Sequence, residues 1–244
     1  MNADLDAIVF DLDDTLVDAT AADRAALDDV IATVAPRLHP EAAALLDRDH
    51  DEILAEARRV FHAGGAWTGP EARFARLLAR HGVEDPALAR DLAARYFRVR
   101  AETIRPYQGV AAAVEDLAGR YPLAIVSNAP AGLPEDTLAR TGLARHFRVV
   151  VSAGAAGVRK PDPAIFRLAL DRLGVAPART MMVGDAWTID LEPALALGMR
   201  AVLVADPAVR RSRMFEGDGP VDTTRATARI ASVAELPALL RRAP

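Results

Sequence analysis

Five short apolar runs, at 7–10, 123–126, 149–151, 181–183 and 201–204, constrain what this chain can fold into more than any other feature. Each is too short for a helix and apolar throughout, the pattern of a parallel strand covered by helices on both faces. Between the later runs lie helical patterns at 109–120, 134–140, 164–173 and 191–197. Gly142, Gly174 and Gly198 follow three of them, where a residue with positive φ ends a helix. Strands alternating with helices predict an α/β fold, a doubly wound parallel sheet.

One connection is different. Residues 11–122 hold no good strand, and their periodicity is helical. The stretch 20–34 reads as a helix, and 41–61 carries apolar residues at 46, 53, 54, 57, 60 and 61, a helical stripe. Gly64-Gly65 ends it, Pro70 starts a helix with Phe74, Leu77 and Leu78 on one face, and 85–103 aligns Leu88, Leu92, Tyr96 and Val99. The prediction is an α/β core of residues 1–16 and 104–244, interrupted by a helical module at 17–103.

Composition removes several classes of function. Of 244 residues, 51% are hydrophobic, enough for a substantial core, and the net charge of −4 gives no basic surface for nucleic acid. The short cluster Arg210, Arg211 and Arg213 reads as a solvated loop or helix end. With no cysteine there is no thiol catalysis, disulfide or thiolate metal site. The run 7–10 is too short for a signal-peptide core or a membrane span, so a cytoplasmic chain without membrane contacts is expected.

Polar residues follow the apolar runs in a pattern. Asp11-Leu12-Asp13-Asp14-Thr15 follows the first, Ser127-Asn128 the second, Lys160 comes shortly after the third, and Gly184-Asp185 follows the fourth with Asp190 five residues on. Ligands of parallel α/β sheets bind beyond the carboxyl ends of the strands, so these groups converge on one rim. Clustered carboxylates repel and need a cation or shared protons. An all-oxygen donor set suits a hard ion, and Mg²⁺ is the natural choice. Ser127, backbone N–H groups and Lys160 can hold phosphate oxygens while a carboxylate attacks phosphorus. A second carboxyl two residues on can serve as acid and then base. Of 30 basic residues Lys160 is the single lysine, and Asn128 is one of two asparagines, the other being Asn2. Both rare residues fall in the motifs, where an arginine could not replace a compact point charge.

The set resembles the haloacid dehalogenase superfamily, through Asp11-x-Asp13-x-Thr15, Ser127-Asn128, Lys160-Pro161-Asp162-Pro163 and Gly184-Asp185-x-x-x-x-Asp190, in the family order. The resemblance implies a Rossmann-like core with a small α-helical cap, and Mg²⁺-dependent hydrolysis of a small phosphorylated metabolite by a monomer or homodimer. It implies that Asp11 is nucleophile and metal ligand, and that Asp13 is acid/base with its carbonyl on the metal. Thr15 would orient Asp13, Ser127 would bind the phosphoryl group, and Asn128 would support the site. Lys160 would offset charge, Asp185 would ligate the metal, and Asp190 would support the metal shell or Lys160. Ala186 and Ile189 stand where relatives often carry polar residues, and Ala129-Pro130 stiffens the loop after Asn128.

Other readings compete. Asp14 and Asp18 read as solvated acids near a helix start. The histidines at 39, 50, 62, 81 and 146 lack metal-ligand spacing and are expected at the surface. Arg58, Arg59 and Arg73 could contact an anionic substrate. Trp67, between glycines, could face substrate or pack between helices, and Trp187 could pack the strand–helix turn. A phosphomutase of the same fold stays open. A 2-haloacid dehalogenase would not need Asp13, and a phospho-receiver would lack the helical insertion.

Overall fold

The computed structural model describes residues 5–62, 68–205 and 224–242. Trp67, Gly64, Gly65 and the arginines at 210, 211 and 213 lie outside the described residues, as does the side chain of His62. Strands β1 (Ala7–Phe10), β2 (Leu123–Ser127), β3 (Phe147–Ser152), β4 (Thr180–Gly184), β5 (Arg200–Val204) and β6 (Ala228–Ile230) form one sheet in the order β3-β2-β1-β4-β5-β6. Every neighbouring pair is parallel. β1 sits between β2 and β4, with Phe10 in register with Ile125 on one side and Val183 on the other. The loops after these strands therefore leave the sheet at the same level.

Eleven α-helices appear among the described residues. The first five are α1 (Ala19–Val34), α2 (Pro40–Ala43), α3 (Leu46–His62), α4 (Pro70–Arg80) and α5 (Pro86–Thr103). The others are α6 (Val110–Ala118), α7 (Leu133–Arg140), α8 (Ala153–Ala156), α9 (Pro163–Leu173), α10 (Glu192–Ala196) and α11 (Leu236–Arg242). β1, β2 and β4 are buried at every position, as expected for strands covered on both faces. One core cluster joins Val9, Val126 and Met182 of the sheet to Ile165, Phe166 and Leu170 of α9. Trp187 is 4% exposed and packs in this cluster, the structural role open to it from sequence.

The chain divides into two compact units, 1–20 with 104–244 and 21–103. Residues 17–20 belong to the sheet unit because their backbone is fastened there. Val17 bridges Pro106, and the Asp18 N–H donates to the Arg105 carbonyl at 2.9 Å.

The helical unit has its own core, in which Phe74, Leu77, Leu78, Leu92 and Tyr96 pack with Val30 and Ile53. The stripe of α3 differs from the one predicted. Its inward line is Leu46, His50, Ile53 and Ala57, all nearly fully buried, while Val60 is 44% exposed. His50 therefore corrects the surface expectation: at helical spacing it falls on the core line, and its ring stacks on Phe74 at 6.0 Å. The His81 side chain is also largely buried, with Nε2 3.1 Å from an Asp49 carboxylate oxygen.

Candidate active site

Asp11 is the first residue after β1, and its N–H donates to the Val183 carbonyl of β4 at 2.9 Å. That bond extends the β1–β4 ladder by one step and fixes the carboxylate at the sheet edge. Ser127 is the last residue of β2, Gly184 is the last of β4, and Asp185 follows it directly. Carboxylate oxygens of Asp11, Asp185 and Asp190 all lie within 4.8 Å of one another.

Lys160 is the hub. Its side chain is 2% exposed, with Nζ 2.5 Å from Asp11 Oδ1 and 2.7 Å from Asp190 Oδ1. Its backbone is held as firmly, since the Asn128 amide donates to the Lys160 carbonyl at 3.0 Å while Asn128 Oδ1 accepts from the Lys160 N–H at 2.8 Å. Asn128 thus couples the end of β2 to the loop that carries the lysine. Burial works against the ammonium, but Asp11 and Asp190 outweigh it and hold Lys160 above its ordinary pKa. Burial also pushes the Asp11 carboxyl up, to about 7, with Lys160 pulling it down and Asp190 and Asp13 adding to the rise.

Asp190 is spoken for on both oxygens. Oδ1 takes Lys160 and Oδ2 accepts the Ala186 N–H at 3.1 Å. A π-helical turn at Trp187–Leu191 folds Asp190 back beneath β4, and the Asp190 N–H returns a bond to the Ala186 carbonyl at 2.8 Å. These bonds aim Asp190 at the lysine and leave Asp11 and Asp185 as the carboxylates best placed for a cation. Hard carboxylate oxygens converging on one point fit Mg²⁺.

Thr15 is buried and its hydroxyl donates to Asp185 Oδ1 at 3.1 Å, so its side chain reaches a partner not anticipated from sequence. Asp13 is half-buried, its carboxyl outside the three-carboxylate cluster. Ser127 is 2% exposed, and its Oγ accepts the Ala129 N–H at 3.2 Å, which leaves the hydroxyl proton to donate elsewhere.

Asp14 departs from the solvated reading. It is 6% exposed, adopts φ 58°, and accepts from both the N–H and the hydroxyl of Thr20, at 2.8 and 2.7 Å. Its left-handed backbone is a conformation aspartate tolerates better than most residues. An aspartate after DxD gave no signal for this role beyond its place before a helix.

Similarity to known proteins follows the same residues. The sequence pattern of the haloacid dehalogenase-like hydrolases matches residues 5–198. The chain belongs to this family. Among its relatives is a phosphoserine phosphatase of Thermus thermophilus, 32% identical over 220 residues, 81% of this chain and 87% of the relative. A glyceraldehyde 3-phosphate phosphatase of Methanothermobacter thermautotrophicus is 30% identical over 227 residues, 90% of this chain and 94% of that one. In fold, the chain is similar to the HAD-hydrolase YfnB from Bacillus subtilis, whose crystal structure was determined bound to magnesium. The TM-score is 0.76 at 21% identity, covering 97% of this chain and 99% of YfnB.

Proposed function

We propose that this haloacid dehalogenase-family member is a Mg²⁺-dependent phosphatase that hydrolyses a small organic phosphomonoester through an aspartyl-phosphate on Asp11. The observation that carries the reading is the buried Asp11 carboxylate, bonded to Lys160 at 2.5 Å and clustered with Asp185 at the carboxyl edge of a parallel sheet. Relatives named for phosphoserine and glyceraldehyde 3-phosphate support phosphomonoester hydrolysis and a small substrate.

Asp11, Asp185 and the Asp13 backbone carbonyl would hold Mg²⁺. When bound, the ion neutralises the carboxylates and draws charge from a phosphate oxygen. Ser127 donates its hydroxyl proton to a second phosphate oxygen, and the Lys160 ammonium offsets the charge that builds on the phosphoryl group. An Asp11 oxygen attacks phosphorus as the ester oxygen departs, and the Asp13 carboxyl gives that oxygen its proton. Asp13, now a carboxylate, takes a proton from water. The resulting hydroxide attacks phosphorus, and the Asp11–phosphorus bond breaks to release inorganic phosphate. A half-exposed Asp13 suits proton exchange with substrate and water, whereas the buried Asp11 suits a nucleophile that meets the phosphoryl group away from bulk water. Thr15 acts on this chemistry by orienting Asp185, Asn128 by fixing Lys160, and Asp190 by holding the ammonium. We assign substrate selection to the helical unit 21–103, in the role of a cap. The enzyme works in the cytoplasm as a monomer or homodimer.

The test is turnover of a generic aryl phosphate with Mg²⁺ by the native chain and by Asp11→Asn, whose amide keeps the shape and loses the nucleophile. Loss of turnover in a folded variant is expected, and substantial activity in Asp11→Asn refutes the assignment. Release of inorganic phosphate equal to substrate consumed separates hydrolysis from mutase action. Halide release from a 2-haloacid would indicate a dehalogenase instead.

A further inference from the structure

We propose that Gly154 is a positioning residue for the reaction: without a side chain it lets the segment 129–131 lie against it, and that contact holds Ser127 in its phosphoryl-binding orientation. The role of Ser127 rests on the phosphatase reading above, whereas the contact itself does not.

Gly154 sits in α8, whose four residues read Ala-Gly-Ala-Ala. Alanine is the better helix former, so a glycine in this company has another cause. Backbone conformation is not that cause. Seven glycines among the described residues take positive φ, and Gly154 is not one of them. What the position uses is the missing Cβ, which would stand 2.3 Å from the Ala131 nitrogen and 2.8 and 2.9 Å from the Pro130 carbonyl carbon and Cα. All three are backbone atoms, so no flexible side chain can swing aside to make room. The Gly154 N–H also donates to the Ala129 carbonyl, at 3.1 Å.

The segment resting on Gly154 continues directly from the residues of the site. Ala129 is bonded at both ends: its carbonyl accepts from Gly154, and its N–H donates to Ser127 Oγ at 3.2 Å. The second bond takes one lone pair of the Ser127 hydroxyl and so orients the proton that the hydroxyl has left to give. Asn128, between them, is tied through its side chain to the Lys160 backbone at 2.8 and 3.0 Å. Pro130 fixes φ in the middle of the contact and brings no N–H for the packing to strand. The loop after β2 is thus held by the Lys160 backbone on one side and by Gly154 on the other. A stiff Ala129-Pro130 pair passes a shift at Gly154 back to Ser127 instead of absorbing it.

Gly154→Ala forces the backbone of 130–131 to retreat by about 1 Å to reach ordinary contact distance. A displacement of that size in an active site is costly, and kcat/KM for an aryl phosphate should fall by about ten- to a hundredfold. General loss of structure would also lower activity, so two further readouts carry the test. The first is a double-mutant cycle. In a Ser127→Ala background there is no hydroxyl to misplace, and Gly154→Ala should then change kcat/KM by less than about twofold. The second is amide exchange followed by NMR, with neither substrate nor metal present. The Ala129 N–H should exchange about tenfold faster in Gly154→Ala, while the amides of β2 keep their native rates. Should Gly154→Ala not fold, Pro130→Gly loosens the same segment without adding an atom. It should shift both readouts in the same direction, with kcat/KM falling about two- to fivefold.

Equal losses with and without the Ser127 hydroxyl would overturn the proposal, as would an Ala129 amide that exchanges at its native rate. A native chain that turns over no phosphomonoester would sink the phosphatase reading instead, and amide exchange would still decide whether Gly154 holds Ser127.

Discussion

The Asp190 carboxylate occupies the space where a side chain on Gly184 would begin. A Cβ at Gly184 would stand 2.5 Å from Asp190 Oδ2 and 2.8 Å from its Cβ and Cγ. Glycine ends β4 because the following π-helical turn must bring Asp190 back against the strand to reach Lys160. Gly184→Ala should therefore push Asp190 away and release the lysine. Overpacking there should cost about 1–3 kcal/mol of stability, and a displaced ammonium should lower kcat by about a hundredfold. Chemical denaturation and steady-state kinetics on the same variant check both numbers.

Lys160 should not be replaceable by arginine, although arginine fills every other Lys/Arg position of the chain. The ammonium sits 2% exposed between two carboxylates, with room for a compact charge and none for a planar fork. Lys160→Arg should fold yet lose on the order of a hundredfold or more in kcat. Near-native kcat in this variant would show that any cation suffices. Lys160→Met should be worse for stability, by about 3–5 kcal/mol, because it strands two buried carboxylates.

Mg²⁺ dependence should itself depend on pH. The Asp11 carboxyl is raised to about 7 by burial, against the pull of Lys160, so below that pH the metal-free site holds a proton that the cation must displace. The concentration of Mg²⁺ giving half-maximal activity should rise by about tenfold for each pH unit below 7, and level off above it. Activity titrated with Mg²⁺ at a series of pH values measures this directly. A requirement independent of pH would mean that Asp11 does not ligate the metal.

His50 should set the acid stability of the helical unit. Its pKa is depressed to about 4 by burial and by Arg73, so the native chain binds fewer protons than the unfolded one between that value and its ordinary 6.5. A depressed histidine contributes fully above the unfolded value and loses its contribution as pH falls through the folded one. The loss from pH 7 to below pH 4 should be about 3 kcal/mol for this group. Denaturation of native chain and His50→Gln across this range should show a shallower pH slope in the variant.

Much of this architecture was readable from pattern alone, for a physical reason. Strands covered on both faces must be apolar throughout, so β1 through β5 announce themselves, and topology then requires the polar residues after them to share a rim. The edge strand β6, three residues with only Ile230 buried, leaves no such mark. In α3 the apolar stripe misled because one core position is taken by His50, which no hydrophobicity pattern includes. Asp14 was opaque for a related reason: a carboxylate that caps a helix from a left-handed turn looks like any surface acid until the fold brings Thr20 to it. The partners within the site were also out of reach. Sequence brings Asp190 and Lys160 to one region, but only the π-helical turn decides that Asp190 faces the lysine.

The most direct test of the account is the identity of the phosphorylated residue. Asp13→Asn removes the base that readies water but keeps the nucleophile, so a phosphoenzyme formed from an aryl phosphate should accumulate. Mass spectrometry of rapidly quenched Asp13→Asn with Mg²⁺ should find one phosphoryl group on the peptide carrying Asp11, and none after Asp11→Asn is added. A phosphoryl group on another residue, or turnover with no covalent species while Asp11→Asn stays active, would contradict it.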